Sequence, residues 1–323
     1  MKIFIYEHFS CGGAGRHNPL SVEGGAILRS AMRSFAEVPG VEPFTIEGHA
    51  GQFDRALAMC DGALIVAPET DGILEDLTVR LAASGKLNLG SGVEAVRITG
   101  DKLAFSRLMK AEGIPHPVTV TAGGRFDSSE FFTGAWVLKP ADGAGAEGVI
   151  IHRKPLKVDV LVGPHVAQEF VAGEPMSLSI VSSGGWLEVL SVNRQRFNGS
   201  NIPFPPRPAP SPQGSGFCDE AIYDGGEITG EEPDAVLRGL AGRIKKAIPG
   251  LRGYWGVDFV MTQTGPVAIE VNPRLTTSFC GLVEALSPTP GAFIMAALNG
   301  SGPPASATRR AAFFTKAGET RAI

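Results

Sequence analysis

No apolar run in this chain approaches the roughly 20 residues that a bilayer-spanning helix requires; stretches such as Ala63 to Ala67 and Ala292 to Leu298 are far too short. Basic charge is not in excess either. The formal net charge is −4, which removes the general electrostatic reason for binding nucleic acid or an anionic membrane, since both need clustered Lys and Arg. Cysteine is scarce, with Cys11, Cys60, Cys218 and Cys280 widely scattered and no CxxC pair. That usage suits structural thiols in a reducing cytosol better than a disulfide framework. The N-terminus enters a strand-like run, Met1-Lys-Ile-Phe-Ile-Tyr-Glu7, without a basic segment ahead of a long apolar one, so no signal peptide is expected and the expected location is cytoplasmic.

Two common nucleotide motifs are missing as well. A phosphate loop of the G-x-x-x-x-G-K-[ST] kind fails because Gly148 is followed by Val149 and Ile150, which weakens Ras-like and ATPase folds. The first strand carries no dinucleotide fingerprint, since Gly13-Ala-Gly15 is followed at the third position by Asn18, and a Rossmann dehydrogenase becomes the weaker choice.

What is present is a chain of 323 residues, enough for two or three domains of roughly 150 residues each, with 42 Gly and 24 Pro indicating many turns. Its N-terminal part alternates short apolar runs (Ile3 to Tyr6, Ala63 to Ala67) with segments of helical period (Glu23 to Phe35, Ile73 to Ala83), the signature of a parallel α/β sheet. A helix is predicted over Lys102 to Ala111, capped by Asp101 and stopped at Gly113. Beyond it the pattern changes to strands and turns: Trp136 to Lys139, Gly148 to His152, Ala167 to Val171, Ser177 to Val181 and Leu187 to Val192, which reads as antiparallel α+β structure. The expected division is an N-terminal α/β domain over 1–98, a small central subdomain over 99–165 and a C-terminal subdomain over 166–323. Within the last, Ser200 to Gly216 is dominated by Pro, Ser and Gly and reads either as a disordered insertion or as a mobile flap that orders over substrates. Glu232 to Ile248 has the period of an amphipathic helix, and two strands follow, Trp255 to Met261 and Pro266 to Val271, joined by a tight turn.

The chemistry concentrates in those last two strands. Residues two apart share a face, so Glu270 and Asn272 project together and Asp258 can oppose them from the paired strand. Two carboxylates and an amide suit magnesium, which fills its remaining positions with water and phosphate oxygens. A solvated strand pair with incidental acids is the bland alternative. Against it, Asp258 and Glu270 lie within apolar runs, where unpaired buried carboxylates are costly. Arg274 adds a guanidinium beside them, suited to charge on a transferring phosphoryl group, although taken alone such an arginine is more often a surface residue. Upstream, Lys139 ends an apolar strand and is followed by Gly143, Gly145 and Gly148, a glycine-rich hairpin that can lay backbone N–H groups over phosphates, or serve merely as a flexible turn. Gln168-Glu-Phe-Val171 before Ala172-Gly173 is a strand end whose backbone can bond an adenine edge.

Taken in order, Asp101-Lys102, Val137-Leu-Lys139-Pro, the 143–148 loop, Gln168 to Gly173, Gly256-Val-Asp258 and Glu270-Val-Asn-Pro-Arg274 resemble the ATP-grasp superfamily over roughly residues 95–290. The resemblance implies an ATP-grasp fold behind an N-terminal parallel α/β (pre-ATP-grasp) domain. It further implies ATP as cosubstrate and magnesium as metal, with manganese as an allowed substitute. By position, Lys102, Lys139, Gly143, Gly145 and Gly148 would contact ATP phosphates, Glu169, Phe170 and Val171 would line the adenine site, and Asp258, Glu270 and Asn272 would hold the metal. The acid that often binds ribose in this family is Pro175 here, with Glu174 one place early. The implied reaction is amide formation from a carboxylate and an amine through an acyl phosphate. It needs no protein nucleophile, so the lack of a Ser-His-Asp or Cys-His signature counts neither way.

More narrowly, the opening Ile5 to Gly13 and the strand Leu190-Ser-Val-Asn193-Arg-Gln195 look similar to the tyramine–glutamate ligase group of methanofuran biosynthesis. That resemblance implies L-glutamate joined to a tyramine-like amine in a furan-cofactor pathway of one-carbon metabolism. Arg194, Arg196 and Arg274 are then candidate partners for the acid, with Arg194, Arg274 and Lys139 assigned to catalysis and Glu7 and Ser10 to the amine. A helix-capping role for Ser10 stays open. So do another amino-acid or D-alanine-type dipeptide ligase and a catalytically silent ATP-binding regulator. The partners expected are small molecules, with no nucleic acid and no membrane, and a homodimer is allowed.

Overall fold

The structure is a computed structural model that describes residues 1–13, 18, 20–46, 50–121, 134–142, 148–153, 164–198, 218–305 and 307–323. The expected 200–216 flap and Gly143 and Gly145 lie outside these residues.

The N-terminal part runs β1 (Lys2–Glu7), α1 (Ser21–Ala36), β2 (Glu42–Phe44), α2 (Phe53–Met59), β3 (Gly62–Val66), α3 (Ile73–Ala83), β4 (Leu87–Asn88), α4 (Val93–Gly100) and α5 (Lys102–Ala111). Its strands form a parallel sheet in the order β2-β1-β3-β4. Strands β1 and β3 are buried almost throughout, as their unbroken apolar runs require of a sheet covered on both faces. Helix α5 begins where expected, with Asp101 Oδ1 accepting from the N–H groups of Leu103 and Ala104 at 2.9 Å.

A five-stranded antiparallel sheet follows, built among the described residues from β5 (Thr119–Thr121), β6 (Trp136–Pro140), β7 (Ile150–His152), β8 (His165–Glu169) and, after β9 (Glu174–Ser182) and β10 (Leu187–Asn198), a returning strand β11 (Cys218–Glu220). The boundary expected at 165/166 therefore falls inside β8. That strand pairs with both β5 and β6, so its ladder holds residues 165–169 in the small subdomain, and β11 joins the same sheet from far along the chain.

The third layer contains β12 (Ile222–Ile228), α6 (Ala235–Ala247), β13 (Gly253–Thr262), β14 (Gly265–Asn272), α7 (Ser278–Ala285), β15 (Leu286–Ser287), α8 (Pro290–Leu298), β16 (Thr308–Arg309), β17 (Ala312–Thr315) and β18 (Thr320–Ala322). Its main sheet has the order β14-β13-β9-β10-β12-β17-β18. One face packs on α5 and α6 through Phe105, Leu240, Ile244 and Trp255. The other faces α1, α7 and α8, where Phe35, Phe279 and Phe293 share a core with Ile3 and Ile5 of β1. The N-terminal domain is thus continuous in its core with the large sheet. No helix among the described residues is long and apolar enough to cross a membrane.

Candidate active site

Between the small and large sheets lies a cleft of about 1600 Å³, its open mouth included. Its floor is the β13–β14 pair, where Asp258 stands directly opposite Glu270 and Gly256 opposite Asn272. A bulge after Asp258 leaves Ile269 unmatched, because Phe259 pairs with Ala268. The extra residue turns Ile269 into the cleft beside Glu270 and Asn272, while Ala268 and Val271 stay in the core behind. The side chains then converge: Asn272 Nδ2 donates to Asp258 Oδ2 at 3.1 Å and Gln195 Nε2 donates to Asp258 Oδ1 at 2.8 Å.

Two adjacent carboxyls in a half-enclosed cleft cannot both carry full charge without help. Burial, and then the charge of Glu270, push Asp258 up. Burial acts the same way on Glu270, but Lys139 and Lys102 outweigh it and hold Glu270 low. Lys139 is itself pulled down to about 8 by burial, with Glu270 opposing. The cluster therefore sets two carboxyls that resist being charged together next to a lysine that is costly to keep charged, an arrangement that a divalent ion and a polyphosphate would relieve together.

Arg274 comes from the loop after β14 and is 12% exposed; its Nε and Nη2 each donate to a Glu69 oxygen at 3.0 Å. Burial works against the guanidinium charge, and Glu69 more than offsets it. Glu69 lies just past the C-terminal end of β3, so the N-terminal domain clamps the arginine of the C-terminal one. No motif marked Glu69; its position beyond a parallel strand, where open α/β sheets carry ligands, was the available signal.

Lys102 and Lys139 line the cleft, and so do Phe170 and Val171. Glu169 sends its side chain to solvent, because strand alternation points its neighbours Gln168 and Phe170 inward; its N–H donates to Val118 O at 2.9 Å. Gly148 is exposed with φ +70°, a left-handed turn before β7.

The structure does not bring Arg194 to the cleft. Asn193, Gln195 and the cleft share one face of β10, so Arg194 lies on the other, in an ion pair with Glu174 at 3.0 Å and about half exposed. Arg196, on that same alternate parity, rests on the Phe313 ring at 4.7 Å. The cleft position two along in the quoted motif belongs to Gln195, and alternation from Asn193 would have found it. Glu7 is buried, and its two oxygens accept from the N–H groups of Phe9 and Ser10 at 3.3 and 2.7 Å. It packs against Gly24, where a Cβ would come within 2.4 Å of its carboxylate. Glu7 and Ser10 thus form their own closed turn outside the cleft lining. Ser10 does not cap α1, whose N-cap position is Leu20.

The cleft is also walled by residues that no motif marked: Glu23 of α1, Tyr223 of β12 and the run Thr276-Thr277-Ser278 entering α7. A buried polar network fixes that run. Asn193 donates to Ser177 and Ser179 at 3.1 and 3.2 Å, Tyr254 OH donates to Ser179 at 3.0 Å, and the same phenol lies 3.1 Å from Thr276 Oγ1.

The donor chemistry at the floor fits a divalent oxygen-seeking ion: two carboxylates and an amide oxygen in one half-buried cluster, with the Lys102 and Lys139 cations lining the same cleft. Asp258, Glu270 and Asn272 would hold it.

Residues 99–278 match the family model described as an ATP-grasp domain, and residues 37–96 match a pre ATP-grasp 3 domain. Tyramine–L-glutamate ligase of Methanocaldococcus jannaschii is 30% identical over 224 residues, covering 69% of this chain and 58% of that protein. The Methanocaldococcus fervens counterpart is also 30% identical, with 61% of its length covered, so the match spans about three-fifths of these relatives. Among solved structures, an ATP-grasp superfamily protein from Archaeoglobus fulgidus superposes with TM-score 0.73 at 24% identity, covering 98% of this chain and 92% of that one. D-alanine–D-alanine ligase of Bacillus anthracis superposes with TM-score 0.56 at 19% identity, over 84% and 86% of the two chains.

Proposed function

The chain belongs to the ATP-grasp family, and on that premise we propose that it is an ATP-dependent ligase joining a carboxylate to an amine, with L-glutamate and an aromatic amine such as tyramine as the pair. The carrying observation is the half-buried Asp258–Glu270–Asn272 cluster set in one cleft with Lys102, Lys139 and Arg274. The substrate pair rests on the 30% identity to the two tyramine–L-glutamate ligases.

The family uses ATP with a divalent metal ion, and that ion, when bound, neutralises charge on the phosphates. The adenine occupies the apolar end beside Phe170, Val171 and Val260, and the lysines reach the phosphates. A glutamate carboxylate oxygen attacks the γ-phosphorus, the bond to the β–γ bridging oxygen breaks, and ADP leaves an acyl phosphate. The bound ammonium first gives up one proton to solvent; the neutral nitrogen then attacks the acyl carbon, the carbon–oxygen bond to phosphate breaks, and the nitrogen releases a second proton as the amide forms. Lys139 and Arg274 offset the charge on the phosphoryl oxygens in both steps, and the enclosed cleft holds nucleophile and phosphorus in line.

Glu270→Ala tests the reading. We expect ADP release with magnesium-ATP, L-glutamate and tyramine to fall below detection while thermal unfolding remains cooperative. A variant with full activity would sink the assignment. A panel of acids and amines with the wild-type chain tests the substrate pair, and preference for a second amino acid over every aromatic amine would move the reading to a dipeptide ligase.

A further inference from the structure

The same cleft holds a group of side chains whose chemistry neither adenine nor phosphate requires. Glu23, in the first turn of α1, lines it with a side chain only 12% exposed. One of its oxygens accepts a hydrogen bond from Thr277, and the other lies 3.5 Å from Lys316 Nζ. A primary ammonium of the chain itself thus already stands at ion-pair distance from this carboxylate. In the same cleft stand Phe197 and Tyr223, ring centroids 5.8 Å apart at 67°, on adjacent strands of the large sheet. Thr277 ties the two features together, because its hydroxyl reaches both Glu23 and the Tyr223 phenol, and Tyr223 also feels the charges of Asp258 and Glu23.

A carboxylate at the edge of an aromatic wall selects one kind of ligand. The anion attracts a compact cation through the low-dielectric cleft, and the rings favour edge-to-face contact with another aromatic group. A polyphosphate is repelled by Glu23, and adenine has its own apolar end near Phe170. We propose that Glu23, Phe197 and Tyr223 form the recognition subsite for the amine substrate, which they take as an aromatic primary ammonium. The proposal rests on the ligase reading for the word substrate, but the subsite is a binding claim that can be measured without turnover.

The experiment uses the full chain and two readouts. Calorimetric titration of tyramine into the protein with magnesium-ADP measures binding, and ADP release with L-glutamate measures turnover. In Glu23→Gln the KM for tyramine should rise at least tenfold, with the KM values for ATP and L-glutamate within twofold of wild type. In Phe197→Ala the KM for tyramine and phenethylamine should rise while that for butylamine stays unchanged. Retained ADP binding shows that each variant is folded. If Glu23→Gln leaves the tyramine KM unchanged, or raises the KM for L-glutamate in its place, the subsite is overturned and the ligase reading stands. If wild type binds tyramine, Glu23→Gln does not, and no acid–amine pair releases ADP, the ligase reading fails and the subsite stands. Neither binding nor turnover of any aromatic amine by wild type overturns the subsite, and it overturns the ligase reading as well if no other acid–amine pair releases ADP.

Discussion

Glu69 and Arg274 meet across two domains with both side chains nearly buried, at 8% and 12% exposure. Removing one partner of such a pair strands the other charge, whereas replacing both with apolar side chains need not cost stability. Glu69→Ala should therefore lower stability by about 3 kcal/mol or more, read as a fall in melting temperature. The double variant Glu69→Leu/Arg274→Met should recover most of that loss and remain inactive, because the guanidinium is gone. Equal melting temperatures for wild type and Glu69→Ala would show that the clamp contributes nothing. At this scale the sequence was legible where chemistry is written locally. Asp258, Glu270 and Asn272 sit on strands whose apolar runs announce burial. Arg194 was misplaced because both faces of β10 carry polar residues, and composition alone does not choose between Arg194 and Gln195.

Element by element, the site depends on two departures from regularity. The bulge at Ile269 sets which side chains of β14 face the cleft, and Gly253 opens β13 at φ +64° with its Cα hydrogens against Leu89 of the N-terminal domain. A Cβ there would come within 2.2 Å of Leu89 O, a backbone atom with little room to move. Around it the same seam is closed by the Gly92 N–H donating to Gly250 O at 2.9 Å and Ser91 Oγ donating to Arg252 O at 3.0 Å. Gly253→Ala should cost at least about 2 kcal/mol from left-handed strain and overpacking combined, measured by denaturant unfolding; a loss below about 0.5 kcal/mol would contradict the contact. The limits of Lys102–Ala111 agreed with the sequence because period and the Asp101 cap coincide there, whereas those of Ile73–Ala83, which has no side-chain cap, followed from period alone.

For the molecule as a whole, the junction of small and large subdomains carries a pH dependence. His116 packs on Phe105, its Nδ1 donates to Ala268 O at 2.8 Å, and burial pulls its pKa down to about 4 from 6.5. Between those values the unfolded chain binds a proton that the folded chain does not, so stability falls as pH drops through that window, and the deficit is full below about 4. The deficit amounts to roughly 3 kcal/mol at most. His116→Gln should flatten the decline in melting temperature between pH 6.5 and 4, and an unchanged slope would remove His116 as its source.

The sequence by itself determined the alternation of parallel α/β with antiparallel α+β structure, the metal-type cluster on β13 and β14, and the absence of other nucleotide motifs. These follow from periodicity and from spacings of a few residues, which local backbone geometry converts directly into shared faces. Only the tertiary structure decided that β8 belongs to the small sheet, that Glu69 clamps Arg274, and that Glu23 meets Phe197 and Tyr223 in one cleft. Those residues are brought together by a shared core between α1, α7 and the large sheet, and no local period encodes which distant side chains such packing will place in contact.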